Sequence, residues 1–359
     1  MTHKQRVVVA MSGGVDSAVA AGLLARQGYD VIGVTMRLWT LDDPSAPPSK
    51  RRCCSVEDTD DARQVADAVG IPHYVLNMEH QFQQRVVDYF VAEYGRGRTP
   101  NPCLACNEHI KFRALLDRAV AFDADFLATG HYARIEGGDG SYRLLRAVDP
   151  NKDQSYVLYT LGQAELARTL FPVGALTKPA VRALADEMRL PVADKPDSTD
   201  ICFVPDGDYR AFVRARLARA AGVTVDRGGA VVARHDGVDG FTIGQRKGLG
   251  VALGERRFVT SIDAERNVVT LGSEDDLMSS GLVAEQVHWI GGEPDTPLRA
   301  DTKIRYRTPA AASMITPLDG GRAHVAFERP QRAVTPGQAA VFYDGDLVLG
   351  GGTIACAER

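Results

Sequence analysis

Two groups of residues in this chain have the types and spacing to do chemistry. The first is Ser12-Gly13-Gly14-Val15-Asp16-Ser17. Adjacent glycines let a backbone turn tightly and come close to a ligand. Ser12 and Ser17 add hydroxyl donors, and the run opens a helix pattern at 18–26 whose unpaired N–H groups favour an anion. Asp16 is out of place in a pure phosphate cradle and suits a position beside a metal or an amide dipole. The second group is sulfur: Cys103 and Cys106 in Asn101-Pro102-Cys103-Leu104-Ala105-Cys106-Asn107, and Cys202 in Asp197-Ser198-Thr199-Asp200-Ile201-Cys202-Phe203. A helix pattern at 110–122 puts Cys106 at or near a helix N-terminus, which lowers a thiol pKa below its free value of about 8.5. The rival readings are an ordinary strand-to-helix turn, a buried apolar thiol for Cys202, and a redox, zinc or structural C-x-x-C pair. Zinc on Cys53, Cys54, Cys103 and Cys106 is disfavoured, because adjacent cysteines chelate poorly.

The elements that must position these groups alternate. Val7-Val8-Val9-Ala10-Met11 reads as a buried strand ahead of the glycine turn, with further strands at 29–39, 73–77 and 126–132. Helix patterns fall at 18–26, 56–69, 79–94 and 110–122. Ser55 with Asp58 reads as a capping box, and 40–52 as a Pro/Ser/Asp-rich loop. Such alternation predicts an α/β fold with a doubly wound parallel sheet and ligands beyond the carboxyl ends of its strands. The glycine turn, Met36 and Gly130-His131 lie at such ends. After a helix at 208–221, short β runs between Gly, Pro and Asp turns predict a small β module at 223–278. About six strands, a barrel or sandwich, follow at 282–359. The domains expected are 1–210, 211–280 and 281–359.

A chain of 359 residues, 45% hydrophobic and 25% charged, has a soluble globular composition and the length of two or three domains. No apolar run approaches the roughly 18 residues of a membrane helix, so no membrane partner is expected. Residues 1–6 lead into a strand without a secretory pattern. Six cysteines at this length predict a reducing cytoplasm with a few chemically used thiols. A net charge of −4 gives no global basic field, so nucleic acid must be met by local patches. Gln245-Arg246-Lys247-Gly248-Leu249-Gly250 and Lys303-Ile304-Arg305-Tyr306-Arg307 are candidates, the rival reading being a solvated strand face. Arg305 beside Tyr306 pairs a phosphate-binding group with a stacking ring.

The 12–17 turn lacks the Walker spacing and resembles the PP-loop of ATP pyrophosphatases, which adenylate a substrate and release pyrophosphate. The resemblance extends over essentially the whole chain. SGGVDS, VTMRLW, CCSVED, NPCLACN with KF following, ATGHYAR, DQSY, DSTDICF, GQRKGLG, KIRYR and PGQAAVFY stand in the order found in the bacterial tRNA-uridine 2-sulfurtransferases, the tRNA 2-thiouridylases. It implies an N-terminal PP-loop domain of the adenine nucleotide alpha hydrolase type, a small central β domain and a C-terminal β-barrel. It implies that Ala10, Met11, Ser12, Gly13, Gly14, Val15, Asp16 and Ser17 hold ATP with Mg²⁺, and that Met36 and Gly130 contact the adenosine. It implies a wobble uridine adenylated at its C2 oxygen and sulfur carried on Cys202 as a persulfide received from a donor protein. Cys106 is then the second thiol, ending in a disulfide with Cys202 that a dithiol reductant resets. Contacts to tRNA are implied for Asn101, Pro102, His131, Lys152, Asp153, Gln154, Arg305, Tyr306 and Gln338, with the target base splayed into the pocket.

One position departs from the family pattern. Members of the persulfide type carry Asp in N-P-D-x-x-C, where an acid/base role is assigned; here that position is Cys103. Cys103, Cys106 and Cys202 with one open iron also suit a 4Fe-4S cluster that binds sulfide, so both chemistries stay open. Two further classes compete. Another PP-loop activator, such as a small-molecule amidotransferase synthetase, needs neither a cysteine pair nor RNA-binding β domains. A metal-stabilised RNA-binding module needs no ATP.

Overall fold

A computed structural model describes residues 4–39, 56–197, 201–204, 207–218, 220–251 and 254–359. The expectations for 40–52, Cys53, Cys54, the Ser55 cap and 198–200 lie outside the described residues. The chain divides into two compact units, one of residues 1–86, 103–207 and 346–348, the other of 87–102, 208–345 and 349–359.

The first unit is built on a five-stranded sheet. Its chain order supplies β1 (Arg6–Ala10), β2 (Asp30–Arg37), β3 (His73–Asn77), β4 (Phe126–Thr129), the hairpin β5 (Ala133–Gly138) and β6 (Ser141–Arg146), and short β7 (Thr169–Leu170). The sheet order is β3-β2-β1-β4-β7, with parallel pairing throughout. Val7, Val8 and Val9 have no exposed surface, as a β-branched strand covered on both faces requires. Helix α1 (Val15–Arg26) follows β1 at once; its Ala18, Ala20 and Ala21 are buried, and small side chains let it lie close to its neighbours. A helix apolar on nearly every side must be covered on nearly every side. Ala62, Val65 and Ala66 of α2 (Val56–Val69) and Val181 and Ala185 of helix Lys178–Glu187 share its core. The chain leaves central β1 toward β2, while β4 lies on β1's other side. The carboxyl ends of β1 and β4 therefore flank a topological switch point, where α/β sheets bind ligands.

Two local readings are corrected. The helix expected at 110–122 begins at Pro102, running through Pro102–Ala105, a π-helical stretch Cys106–Leu115, and Leu116–Val120. Proline is favoured in a first helical turn because its missing N–H is needed least there. Cys103 thus lies in the first turn, and Cys106 one turn further in. The helix expected at 208–221 is only Tyr209–Arg214, opened by the Asp208 side chain accepting from Ala211 N at 3.0 Å. The Ala/Arg-rich residues beyond it have helix propensity, a weak prior without an apolar face to bury.

The second unit is β-rich. β8 (Gly222–Val225), β9 (Val231–His235), β10 (Phe258–Asp263) and β11 (Val268–Gly272) form a sheet in the order β10-β11-β8-β9, with Val238, Phe241, Val259 and Leu271 in its core. Six further strands follow: β12 (Met278–Trp289), β13 (Leu298–Lys303), β14 (Ala311–Leu318), β15 (Arg322–Arg332), β16 (Ala339–Asp344) and β17 (Leu347–Glu358). β12 pairs antiparallel with both β15 and β17, closing a barrel and removing its edges. Leu282 and Ala284, then Ala323, Val325 and Phe327, point inward at the period of two a strand imposes. A parallel-sheet unit, a small β module and a barrel agree with the fold expected.

Candidate active site

The 12–17 turn is shaped by backbone. Gly13 adopts φ +70°, and a Cβ there would lie 2.3 Å from the carbonyl oxygen of Asp58 on α2. A Cβ on Gly130 would lie 2.6 Å from the amide nitrogen of Ser17, so the chain leaving β4 presses directly on the first turn of α1. Ser17 Oγ donates to the Gly14 carbonyl at 3.0 Å and accepts from Ser12 N at 3.2 Å. Gly14 precedes α1 in extended geometry and supplies no side-chain cap, which leaves the opening of α1 suited to an anion. Ala10, Met11, Val15 and Met36 are buried. They form the apolar floor of the turn and offer a ligand backbone rather than side chain.

A charged network stands on this turn. The Tyr132 hydroxyl donates to Asp16 at 2.7 Å, and Lys178 Nζ grips both Asp16 oxygens at 2.7 and 2.9 Å. Lys178 also reaches Asp197 at 2.8 Å, and Lys152 meets Asp197 at 2.5 Å. Burial pushes the Asp197 carboxyl up, but hydrogen bonds from Lys152 and Lys178 outweigh it and hold the group at about 2. Burial, then the hydrogen bond to Asp16, raises the Tyr132 phenol, so it stays a donor. Gln154 braces Tyr132 from both sides: its Oε1 accepts from Tyr132 N at 2.9 Å and its N–H donates to Tyr132 O at 2.8 Å. The sequence reading named Asp16 but missed Tyr132, Lys178 and Asp197 as site residues. Tyr132 and Asp197 stood inside quoted motifs; Lys178 lies in a plain helix opening with no signal of its own.

Cys202 occupies a turn closed by Val204 N–H on the Ile201 carbonyl at 3.1 Å. The next residue, Phe203, is buried edge-on against Phe82 with ring centres 5.6 Å apart, and lies 6.4 Å from Trp39. Cys202 is half-buried, Cys106 buried and Cys103 exposed. Among the described residues no group of three or more His, Cys, Asp or Glu is placed to hold a metal ion. The three cysteines do not stand there as a cluster site, and no step below passes through iron or zinc.

Several residues named for RNA do other work. His131 is enclosed, its Nδ1 2.7 Å from Thr129 Oγ1 and its ring against Phe112 and Phe171. Burial, then the Lys111 charge, holds its imidazole well below the usual range, hence neutral. Asp153 is buried and accepts from Ala147 N, Ser155 N and Ser155 Oγ, a loop-building role. In the second unit, Arg305 Nη2 donates to the Ala333 carbonyl and Thr335 Oγ1, both at 2.8 Å, and so ties a barrel loop. Gln338 Nε2 donates to the Thr99 carbonyl at 2.8 Å, two residues before Asn101 and Pro102, and Thr99 N donates to Pro336 O at 2.9 Å. Tyr306, Arg246 and Lys247 are exposed.

Comparisons agree with this layout. Residues 5–206 match a family described as a tRNA methyl transferase HUP domain, 210–273 its PRC-barrel domain, and 279–354 an aminomethyltransferase beta-barrel domain. The fold and the turn thus define a HUP-domain protein carrying two β domains. The chain is 51% identical over 364 residues to the tRNA-specific 2-thiouridylase MnmA of Geobacter metallireducens, covering 99% of each chain. It is 52% identical over 352 residues to that of Moorella thermoacetica, covering 97% of this chain and 98% of the relative. The chain belongs to the tRNA-specific 2-thiouridylase family. Among solved structures it is similar to a 4-thiouridine synthetase in complex with RNA and ATP, at 17% identity, covering 59% of this chain and 50% of that one, with a TM-score of 0.35.

Proposed function

We propose that this enzyme thiolates the wobble uridine of tRNA at C2, using ATP. The observation that carries the reading is the Gly13–Ser17 turn at the switch point, with Lys178 on its Asp16 and Lys152 joined to Lys178 through Asp197. A uridine C2 oxygen is a poor leaving group; adenylation converts it to one that departs as AMP. The turn and the opening of α1 bind the triphosphate, and Lys178 and Lys152 offset the charge of the departing pyrophosphate. Asp16 and Asp197, which share Lys178, are the carboxylates that would hold a Mg²⁺ bound with ATP, where it would offset phosphate charge.

Sulfur arrives on Cys202 as a persulfide from a donor protein. Its terminal sulfur bonds to C2 as the C2–O bond to AMP breaks. Cys106 thiolate then attacks the Cys202 sulfur; the S–S bond to the base breaks, leaving thiocarbonyl on the uridine and a Cys106–Cys202 disulfide. A dithiol reductant restores both thiols. The half-buried turn that presents Cys202 and the buried helical site of Cys106 support these roles. Exposed Cys103 takes none of them. The exposed Arg246 and Lys247 supply phosphate contacts to the tRNA, and the reaction is a cytoplasmic one. Among the described residues no helix is long and apolar enough to cross a membrane. The test is 2-thiouridine formation from ATP, tRNA and a persulfide donor. Cys202→Ser must abolish it, and wild-type protein purified without iron must retain it; iron-dependent activity would overturn the persulfide scheme in favour of the cluster.

A further inference from the structure

The residues leading to Cys202 are tied to the nucleotide turn twice. Asp197, five positions before Cys202, meets Lys178 at 2.8 Å, and the same Nζ holds Asp16 at 2.7 Å. Separately, Lys195 reaches Asp58 at 2.7 Å and Asp61 at 2.5 Å on α2. Asp58 is the residue whose carbonyl lies against Gly13. The backbone between these ties is fixed as well: Arg182 donates to the carbonyls of Ala193 at 2.8 Å and Lys195 at 3.2 Å, and to Asp197 at 3.3 Å. Apolar packing already holds this region, since Val181, Ala185, Leu190 and Val192 are buried in the core shared with α1. Both ion networks therefore stand beyond what attachment alone needs. The Lys195 pairs are only partly buried, with a side-chain exposure of 29% for Lys195, so each adds modestly to stability while fixing position; Lys178 is buried.

We infer that residues 193–197 are a strap that keeps Cys202 in register with the nucleotide turn, and that Lys195, paired with Asp61, is a positioning residue for sulfur transfer. The inference rests on the reading of Cys202 as the sulfur carrier. Lys195 binds the strap directly to Asp58 and Asp61 on α2, and Asp197 shares Lys178 with Asp16 at the start of α1. Beyond the strap, Phe203 seats the cysteine turn among Phe82 and Trp39. A strap cut at Lys195 should leave adenylation working without an aligned sulfur. Misplacement of reacting groups by about 1 Å costs on the order of 100-fold in rate.

The experiment uses the full-length protein with Lys195→Ala, Asp61→Asn, which removes a Lys195 partner on α2, and the conservative Lys195→Arg. Adenylation is read as tRNA-dependent ATP–pyrophosphate exchange, and transfer as 2-thiouridine formed from a persulfide donor. The iodoacetamide alkylation rate of Cys202, mapped by mass spectrometry, is compared with and without a non-hydrolysable ATP analogue. Both charge-removing variants are expected to lose thiolation by roughly 10- to 100-fold while exchange stays within about twofold. The effect of nucleotide on Cys202 alkylation should vanish in them and return in Lys195→Arg. Exchange and thiolation falling together, or neither falling, overturns the strap. Thiolation surviving Cys202→Ser overturns the sulfur-carrier reading and the strap with it. A dead Cys202→Ser beside a fully active Lys195→Ala, with alkylation still nucleotide-sensitive, overturns the strap alone.

Discussion

The nucleotide turn and the sulfur-bearing segment sit in one unit but are held by different physics. The turn is fixed by apolar packing and missing Cβ atoms: Val7–Val9, Met11 and Val15 are buried, and Gly13 and Gly130 admit backbone where any side chain would collide. The approach to Cys202 adds charge to its packing, through Lys178, Lys152 and Arg182 on Asp197 and Lys195 on Asp58 and Asp61. Simple salts screen partly exposed ion pairs far more than they alter apolar packing. The position of the 193–197 segment should therefore be the more salt-sensitive of the two.

The sharpest break between the two regions is a pair of single substitutions. Asp16→Ala should abolish AMP formation, since its carboxylate organises Lys178 and Tyr132 on the turn. Cys202→Ser should abolish thiolation yet keep ATP–pyrophosphate exchange. Both losses should exceed about 1,000-fold, the scale expected when a group acting in the transition state is removed. Retained AMP formation in folded Asp16→Ala would remove that residue from the chemistry.

Next in size is Gly130→Ala. Its methyl would start 2.6 Å from Ser17 N, against backbone that cannot move aside without opening the first turn of α1. Overpacking of this kind costs about 1–3 kcal/mol, and here it should appear mainly as weaker ATP binding, roughly 5- to 100-fold. Calorimetric titration with ATP checks it, and unchanged affinity would mean that the β4 end does not shape the nucleotide site.

How much of this was legible in the sequence follows the same division. The packed region was, because β-branched runs, glycines and a small-residue helix carry local patterns. β1, α1 and the turn were read close to their true bounds, and the barrel's six strands from period and turns. The charged region was not. Lys178 and Lys195 are ordinary lysines until tertiary structure brings them to Asp16 and Asp58, 162 and 137 residues away. Burial was not legible either: His131 and Asp153, named as tRNA contacts through the family resemblance, are both buried with internal partners. The start of the cysteine helix was missed because Pro102 was not taken as its opening residue.

Buried His131 makes a smaller, pH-dependent prediction. The fold holds its imidazole neutral, well below the free value of 6.5. Below that pH the unfolded chain takes up a proton the folded protein does not, so stability falls as pH falls. The expected loss approaches about 1.4 kcal/mol per unit below pH 6.5 from this group. His73, His109 and His235 are lowered too, each by burial first, and add in the same direction. Denaturation midpoints from pH 7 to 5 should slope less steeply in His131→Gln than in the wild type. Equal slopes would show that the ring is protonated in the fold.

The smallest effect separates two arginine- and lysine-bearing patches of the β-rich unit. Lys247 is exposed, whereas Arg305 is bonded to the Ala333 carbonyl and Thr335. Lys247→Ala should weaken tRNA binding modestly and flatten the plot of log affinity against log salt by about one, with the melting temperature unchanged. Arg305→Ala should do the reverse: lower the melting temperature, because two acceptors lose their donor, and leave the slope alone. Filter binding of tRNA over a salt series, beside thermal melts, reads both quantities. A flattened slope in Arg305→Ala with no change in melting would return that guanidinium to the RNA interface and leave the barrel loop held by its backbone bonds.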